Sequence, residues 1–423
     1  MTRKRLSIGA AAALMSVALT AGCAAQTTDE DANTGAAPGA ELEAVPGFNP
    51  DTKEITVGNI LALSGPLSAG AKEQLIGQNA WFEKVNADGG IKGEYKVKLV
   101  TADNQYNAQL AVQAYEEIKN DIVMLSGTLG TPSVRALLPL LERTKANMVP
   151  SNQDATLKDE QALVPTFASY QTNVVNAVSY LVSQDPSLKE AKFCALVIES
   201  AWGDAVKEGL THIAGKYGQE VASDQRFAPT DTAFTAQIQA LKSAGCQVVV
   251  WGGAENATPA MVAAATQLDF KPHWISEFIG VNISYASMPI APYIKEHFLI
   301  TGPGNKLDDT SVPGIKVIKD AIGDDPVTLQ YVYGYIQAVA TTTVLEKAID
   351  NGDLSNEGIR KTIAEMGEIS DFQGLQATLK LGETRTLPQG TTLYRYNPTD
   401  ENPYGLDAIE VLYEAPEGNG PNF

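Results

Sequence analysis

The imidazole side chains available for chemistry are His212, His273 and His297, and they are scattered along 423 residues. The chain has no HExxH, no CxxC and no GxSxG, so neither a zinc hydrolase pair nor a nucleophile elbow can be built from local spacing. Gly89-Gly90-Ile91-Lys92-Gly93 lacks the glycine spacing that cradles phosphates and reads as a turn ahead of a strand. Asp and Glu number 50 against 31 Lys and Arg, so two acids falling near each other carry no signal of acid–base catalysis. The sequence predicts a protein that is not an enzyme and uses no cofactor or metal. Binding chemistry is better represented. In Gly127-Thr128-Leu129-Gly130-Thr131-Pro132-Ser133 a strand-like run ends in glycines, Thr131 stands at an N-cap position and Pro132 at the first helical position. Such a turn lies at the carboxyl end of the strands in an open α/β sheet, where free N–H groups and the helix dipole favour an anion. Thr131 is therefore a candidate to hold a ligand carboxylate; the other reading is that it only caps its own helix.

These residues need a scaffold, and the hydrophobic pattern supplies one. Apolar runs suited to buried parallel strands occur at 55–63, 96–103, 121–126 and 146–149, with amphipathic segments between them. Val134, Leu137, Leu138 and Leu141 form an i, i+3, i+4, i+7 stripe on a helix over 132–145. A second series repeats the rhythm, with strands near 192–198, 220–225, 246–251 and 272–277 and helices near 173–184, 201–217, 232–244 and 256–268. This alternation implies two doubly wound α/β lobes. A long helix or helix pair follows at 327–350, then a tail from Gln376 that reads as short antiparallel strands.

The amino terminus reads as a targeting segment: Arg3, Lys4 and Arg5, an uncharged apolar run from Leu6 to Leu19, then Thr20-Ala21-Gly22-Cys23. The run is shorter than the roughly 20 residues a spanning helix needs. Small residues directly before a Cys resemble the bacterial lipobox, in which that Cys is lipidated and begins the mature chain, so residues 1–22 are expected to be removed and Cys23 to anchor the protein to the outer face of the cell membrane. Removal would take the net charge from −19 to −22, which argues against nucleic acid or anionic lipid as partner. Residues 23–53, rich in Ala, Gly, Thr, Pro and acid, read as a flexible tether. Cys194 and Cys246 sit in or beside apolar strand-like runs, and buried free thiols are the expectation for both, with a bridge between them the alternative.

The stretch VGNILALSGPLSAGAKEQLIGQNAWFEKVNADGGIKG, with GTLGTPSVRALLPLLERTKANMVPS and ESAWGDAVKEGL in order behind it, resembles the leucine/isoleucine/valine-binding branch of the type I periplasmic binding proteins from Ile55 to Tyr396. The resemblance implies two Rossmann-like lobes joined by a three-strand hinge, a small organic solute enclosed between them, and an ABC permease as membrane partner. Lobe 1 is expected from 54–170 and 300–368, lobe 2 from 171–299 and 369–423. It also implies site residues. Thr131 falls where the family binds an amino acid's carboxylate, and Trp202 where the second lobe offers an aromatic lid. Glu277 falls where an acid receives the α-ammonium group, and Ser151 and Asn152 lie in a loop giving backbone and hydroxyl contacts. Glu255 sits where amino-acid binders often have Tyr. Each has a plainer reading: Trp202 as lobe packing, Glu277 as a solvated strand end, Glu255 as a first-turn acid favoured by a helix dipole. An amino acid is the favoured solute. Gly127–Pro132 and Ser169-Tyr170-Gln171 look closer to relatives taking aromatic or other organic acids, and a ligand-sensing module is a further alternative.

Overall fold

The computed structural model describes residues 42–65, 67–382, 385–400, 402–418 and 423; the targeting segment and Cys23 lie outside the described residues. The first sheet forms from β1 (Phe48–Asn49), β2 (Glu54–Leu61), β3 (Lys96–Asp103) and β4 (Leu125–Thr128). In it β2 lies between β3 and β4 and parallel to both, with β1 folded back against the start of β2. The helices α1 (Ser68–Ala87), α2 (Ala108–Ile118) and α3 (Thr131–Thr144) alternate with these strands. Next come α4 (Tyr170–Gln184), β5 (Phe193–Ile198), α5 (Ala201–Lys216), β6 (Val221–Phe227), α6 (Thr235–Ala244), β7 (Val248–Gly252), α7 (Thr258–Gln267), β8 (His273–Glu277), α8 (Ala291–His297) and β9 (Phe298–Gly302). Three helices follow: α9 (Pro313–Ile322), α10 (Leu329–Asp350) and α11 (Asn356–Glu365). The two-residue strands β10 (Glu368–Ile369) and β11 (Leu379–Lys380) pair with each other, and β12 (Thr391–Tyr396) and β13 (Leu406–Tyr413) end the chain. The second sheet runs β13-β12-β9-β8-β7-β5-β6, parallel from β9 to β6 and antiparallel at β12 and β13. Every residue of β5 and β7 is buried, as expected for strands covered by helices on both faces.

The chain passes between the sheets three times: after β4, after β9 and after β11. The last two passages bring α9 to α11 back beside the first sheet, where α10 packs along α1. Glycines make that seam close. A Cβ on Gly77 would stand 2.0 Å from the Tyr331 carbonyl oxygen, and one on Gly334 1.9 Å from that of Gln74, so the two backbones touch with no room for a side chain.

Four expectations need correcting. Residues 146–149 form no strand; Met148 makes only isolated bridges to Leu125 and Leu163. The strand expected at 121–126 begins at Leu125, and Gly47 lies against the backbone of Ile122 and Val123 just before it. That contact also shows that the described end of the tether is packed, with Leu42 and Phe48 in the core. Cys194 and Cys246 are a disulfide, Cα–Cα 5.9 Å. The parallel pairing of β5 with β7 brings them together, since Cys194 sits opposite Val249 and Cys246 just precedes β7. No helix among the described residues is long and apolar enough to cross a membrane.

Candidate functional site

Helix starts build the site. Ser169, Ser200 and Thr328 each cap a helix, accepting a hydrogen bond from the backbone N–H of Thr172, Gly203 and Tyr331. They fix the entries of α4, α5 and α10, and the first turns of all three face one cavity through Tyr170, Trp202, Gln330 and Tyr333. The starts of α1 (Leu67, Gly70, Ala71, Gln74) and α3 (Gly130, Thr131) complete the wall with Leu129, Ser151, Glu255, Phe278, Ile279 and Tyr106. The cavity holds about 550 Å³, part of it open to solvent. Both halves contribute, since α1, α3 and α10 stand beside the first sheet and α5, Glu255 and Phe278 belong to the second.

Thr131 departs from its expected conformation. Gly130, at φ 103°, is the N-cap of α3 and Thr131 is its first residue, with no side-chain cap bond. Its hydroxyl instead accepts from Asn152 Nδ2 at 2.8 Å and lies within hydrogen-bonding reach of the Tyr170 hydroxyl. The capping role is therefore not the one it plays. Ser151 accepts from Gln337 Nε2 at 2.9 Å and faces the cavity. Asn152 does not; it stands behind and orients Thr131.

The two acids separate. Glu255 lines the cavity, and its carboxylate accepts from Gly70 N–H (3.3 Å), at the start of α1 across the cleft, and from Asn282 Nδ2 (2.7 Å). Burial pushes its carboxyl up from the ordinary range. Two more lone-pair positions remain for a ligand donor. Glu73 lies near; burial first, and then the Glu255 charge, raise it to about 7 against a bond from the Thr328 hydroxyl. Glu277 is not among the lining residues. Its Oε1 accepts from Asn173 Nδ2 at 3.1 Å, its Oε2 has no partner, and burial pushes it to about 8. It is a buried carboxyl at the end of β8, not a solvated strand end, and burial favours its protonated form.

No Lys, Arg or His lines the cavity. Its positive field comes from five helix N-termini, each equivalent to roughly half a charge, and α1 directs its share at Glu255. The arrangement fits a small ligand with an anionic oxygen group, an apolar or aromatic body and an N–H donor toward Glu255. It offers no nucleophile with a base, and no group of three metal-ligating side chains occurs among the described residues. Sequence reasoning missed Tyr333 and Gln330, because α10 is apolar nearly all round and reads as core. It also missed Phe278 and Ile279, which follow a strand end with no turn signal.

Leu/Ile/Val-binding protein homolog 3 of Brucella melitensis is 27% identical over 204 residues, 47% of this chain and 54% of that protein; the match spans about half of the relative's length. Among solved structures, a fatty acid ABC transporter substrate-binding protein from Thermomonospora curvata superposes with TM-score 0.81 at 23% identity, covering 89% of this chain and 96% of that one. A branched-chain amino acid ABC transporter protein from Thermus thermophilus with bound valine gives 0.72 at 18%, covering 86% and 97%. At these identities the structures show a shared fold. The model of the periplasmic binding proteins matches residues 54–401, which hold β2 to β12, the three passages and the whole cavity wall, so the chain belongs to the periplasmic binding protein family.

Proposed function

We propose that this chain is the extracytoplasmic solute-binding lipoprotein of an ABC importer, capturing an amino acid between two lobes, 54–170 with 300–368 and 171–299 with 369–423, and presenting the closed form to a membrane permease. The observation that carries the reading is the cavity between two halves, with helix N-termini for a carboxylate, Glu255 for an ammonium group, and Leu67, Leu129, Phe278 and Ile279 for an apolar side chain. Thr131, Ser151, Trp202 and Glu255 would touch the solute; Asn152 would act through Thr131, and the ammonium acceptor would be Glu255 instead of Glu277. Binding energy would shift an open–closed equilibrium and not a reaction barrier.

A second reading, uptake of an aromatic or aliphatic organic acid, draws support from the aromatic wall of Tyr106, Tyr170, Trp202 and Tyr333 and from the removal of Glu277 from the lining. Thermal shift with amino acids, their deaminated analogues and aromatic acids separates the two, because a ligand bound only to the folded state raises its melting temperature. Stabilisation by L-leucine or L-phenylalanine is the expected result. Stabilisation by the deaminated acids alone would overturn the amino-acid reading in favour of the second.

Membrane attachment is a separate expectation, resting on Ala21-Gly22-Cys23 ahead of an acidic, low-complexity stretch. One acyl chain binds a bilayer only marginally, so stable anchoring through Cys23 implies more than one. Cys23→Ala should move the protein from the membrane pellet to the soluble fraction. Retention of the variant in the pellet through detergent-free washing would sink the anchor.

A further inference from the structure

Four glutamines meet in the seam between α1 and α10. Gln74 and Gln78 stand four residues apart on one face of α1, and Gln330 and Gln337 stand seven apart, two turns, on one face of α10. The close approach of the two backbones at Gly77 and Gly334 brings their amides within reach of each other. All four are buried, Gln78 and Gln337 completely, so their hydrogen bonds are made inside the protein.

The links all run one way. Asn59 Nδ2 on β2 donates to Gln78 Oε1, and Gln78 Nε2 donates to Gln337 Oε1 at 3.3 Å. Gln337 Nε2 donates to the Ser151 hydroxyl at 2.9 Å, that hydroxyl to Gln74 Oε1 at 3.4 Å, the longest link, and Gln74 Nε2 to Gln330 Oε1 at 2.9 Å. An amide has two faces to offer, yet two of these amides are pinned. Gln78 Nε2 also donates to the Ser126 carbonyl oxygen and Gln337 Nε2 to that of Val149, and a main-chain carbonyl only accepts. With both nitrogens fixed as donors, the Ser151 oxygen has received one proton and passes its own to Gln74, and Gln74 is left with its nitrogen toward Gln330. The opposite end exerts no hold, since Asn59 Oδ1 has no donor among the described residues. The chain comes out in the cavity. Ser151, Gln74 and Gln330 line it, while Asn59, Gln78 and Gln337 stand behind. Its last atom is Gln330 Nε2, which has no acceptor among the described residues and is not sealed from solvent. That nitrogen lies against Gly70, itself a lining residue, whose Cβ would stand 2.8 Å from it.

We infer that Gln337, which does not reach the cavity, is a positioning residue that sets the hydrogen-bonding sense of the cavity wall: through Ser151 and Gln74 it holds Gln330 with its N–H outward, so that a solute is selected for an acceptor atom at the start of α10. This rests on the solute-capture reading proposed above. A solute that brings an N–H to the same place sets two donors against each other and is refused. Bonds joined in one direction polarise one another, which strengthens the last donor of the chain.

Two measurements on the full-length protein test this. Neutron diffraction from crystals exchanged into D₂O locates amide deuterium atoms directly. They are expected on the Gln330 atom that faces the cavity, and an oxygen in that place overturns the inference whether or not any variant folds. The second measurement is a double-mutant cycle on the binding of L-leucine, L-phenylalanine and benzoate, read by calorimetry. Gln330→Met should weaken a bound probe about 3- to 10-fold, the range for one hydrogen bond, and Gln337→Met by about as much although it lies out of the probe's reach. Because the second acts through the first, the double variant should match Gln330→Met alone to within about 2-fold. Unchanged affinity in Gln337→Met, or losses that multiply in the double variant, would make Gln337 a packing residue and overturn the inference while leaving solute capture standing. If none of the three probes binds the parent, capture of small carboxylates falls and the selection assigned to Gln337 falls with it.

Discussion

Removing the bridge between Cys194 and Cys246 should lower the stability of the protein by ~4 kcal/mol, the loop-closure value for two residues 52 apart in sequence. The bridge ties the first residues of β5 to the approach to β7, two neighbouring interior strands of the second sheet. Both sulfurs sit in the core, Cys194 fully buried and Cys246 nearly so. Alanine at both positions leaves small apolar side chains there, so the double variant should fold and lose mainly the constraint on its unfolded chain. Guanidinium unfolding of Cys194→Ala/Cys246→Ala beside the oxidised parent measures the difference, and equal midpoints and slopes would show that the bridge contributes nothing. A bridge of this kind persists in an oxidising compartment, in keeping with the extracytoplasmic location proposed.

Glu277 should produce the second large effect, visible as a dependence of stability on pH. Its carboxyl is held near 8 by burial in the fold, against about 4.5 for the ordinary group. Below pH 4.5 it is protonated in both folded and unfolded chains and has no effect. As pH rises from 4.5 to 8 the unfolded chain releases this proton and the folded one keeps it, so stability falls throughout that window and levels off above it. The total is on the order of 3–5 kcal/mol. Glu73, raised to about 7, adds a loss of the same sign, while His212, His273 and His297, all lowered by burial, act the opposite way at acid pH. Comparing Glu277→Gln with the parent at pH 5 and pH 8.5 isolates the one carboxyl. The amide keeps the shape and an acceptor for Asn173, so the variant should equal the parent at pH 5 and exceed it at pH 8.5. Parallel curves for the two proteins would mean that Glu277 is ionised in the fold.

Much of the frame was legible in the sequence because most strands are continuous apolar runs between helical stripes. The run at 96–103 coincides with β3, 201–217 with α5 to within a residue, and 327–350 with α10 to within two. What failed has a common cause. Ala146, Met148 and Val149 are apolar and buried, yet the passage out of the first sheet leaves Met148 only isolated bridges to Leu125 and Leu163, and hydropathy reports burial without reporting pairing. The pairing of Cys194 with Cys246 depends in the same way on which strands become neighbours, and local pattern is silent on that. In the site, Thr131 was visible from its glycines and its proline. Its freedom to bind was not, because the cap is the left-handed Gly130 one residue earlier. Glu277 was placed by resemblance to a family position. In the fold its carboxylate accepts a hydrogen bond from Asn173, 104 residues away, a pairing that local sequence cannot show.

The seam between α1 and α10 has a consequence for the order in which the molecule can be made. Gln78 of α1 hydrogen-bonds to Gln337 of α10, 259 residues further on, and Gly77 and Gly334 fit only against each other's helix. All of β5 to β9 lies between them in the chain. A polypeptide emerging from its amino end therefore holds α1 beside an unfinished sheet, its contact face bare, until the parallel core of the second sheet has already been synthesised. Contacts this far apart in sequence form slowly. The half of the molecule that begins first thus waits for α10 before its seam can close, and α1 is the segment most in need of shelter in the interval.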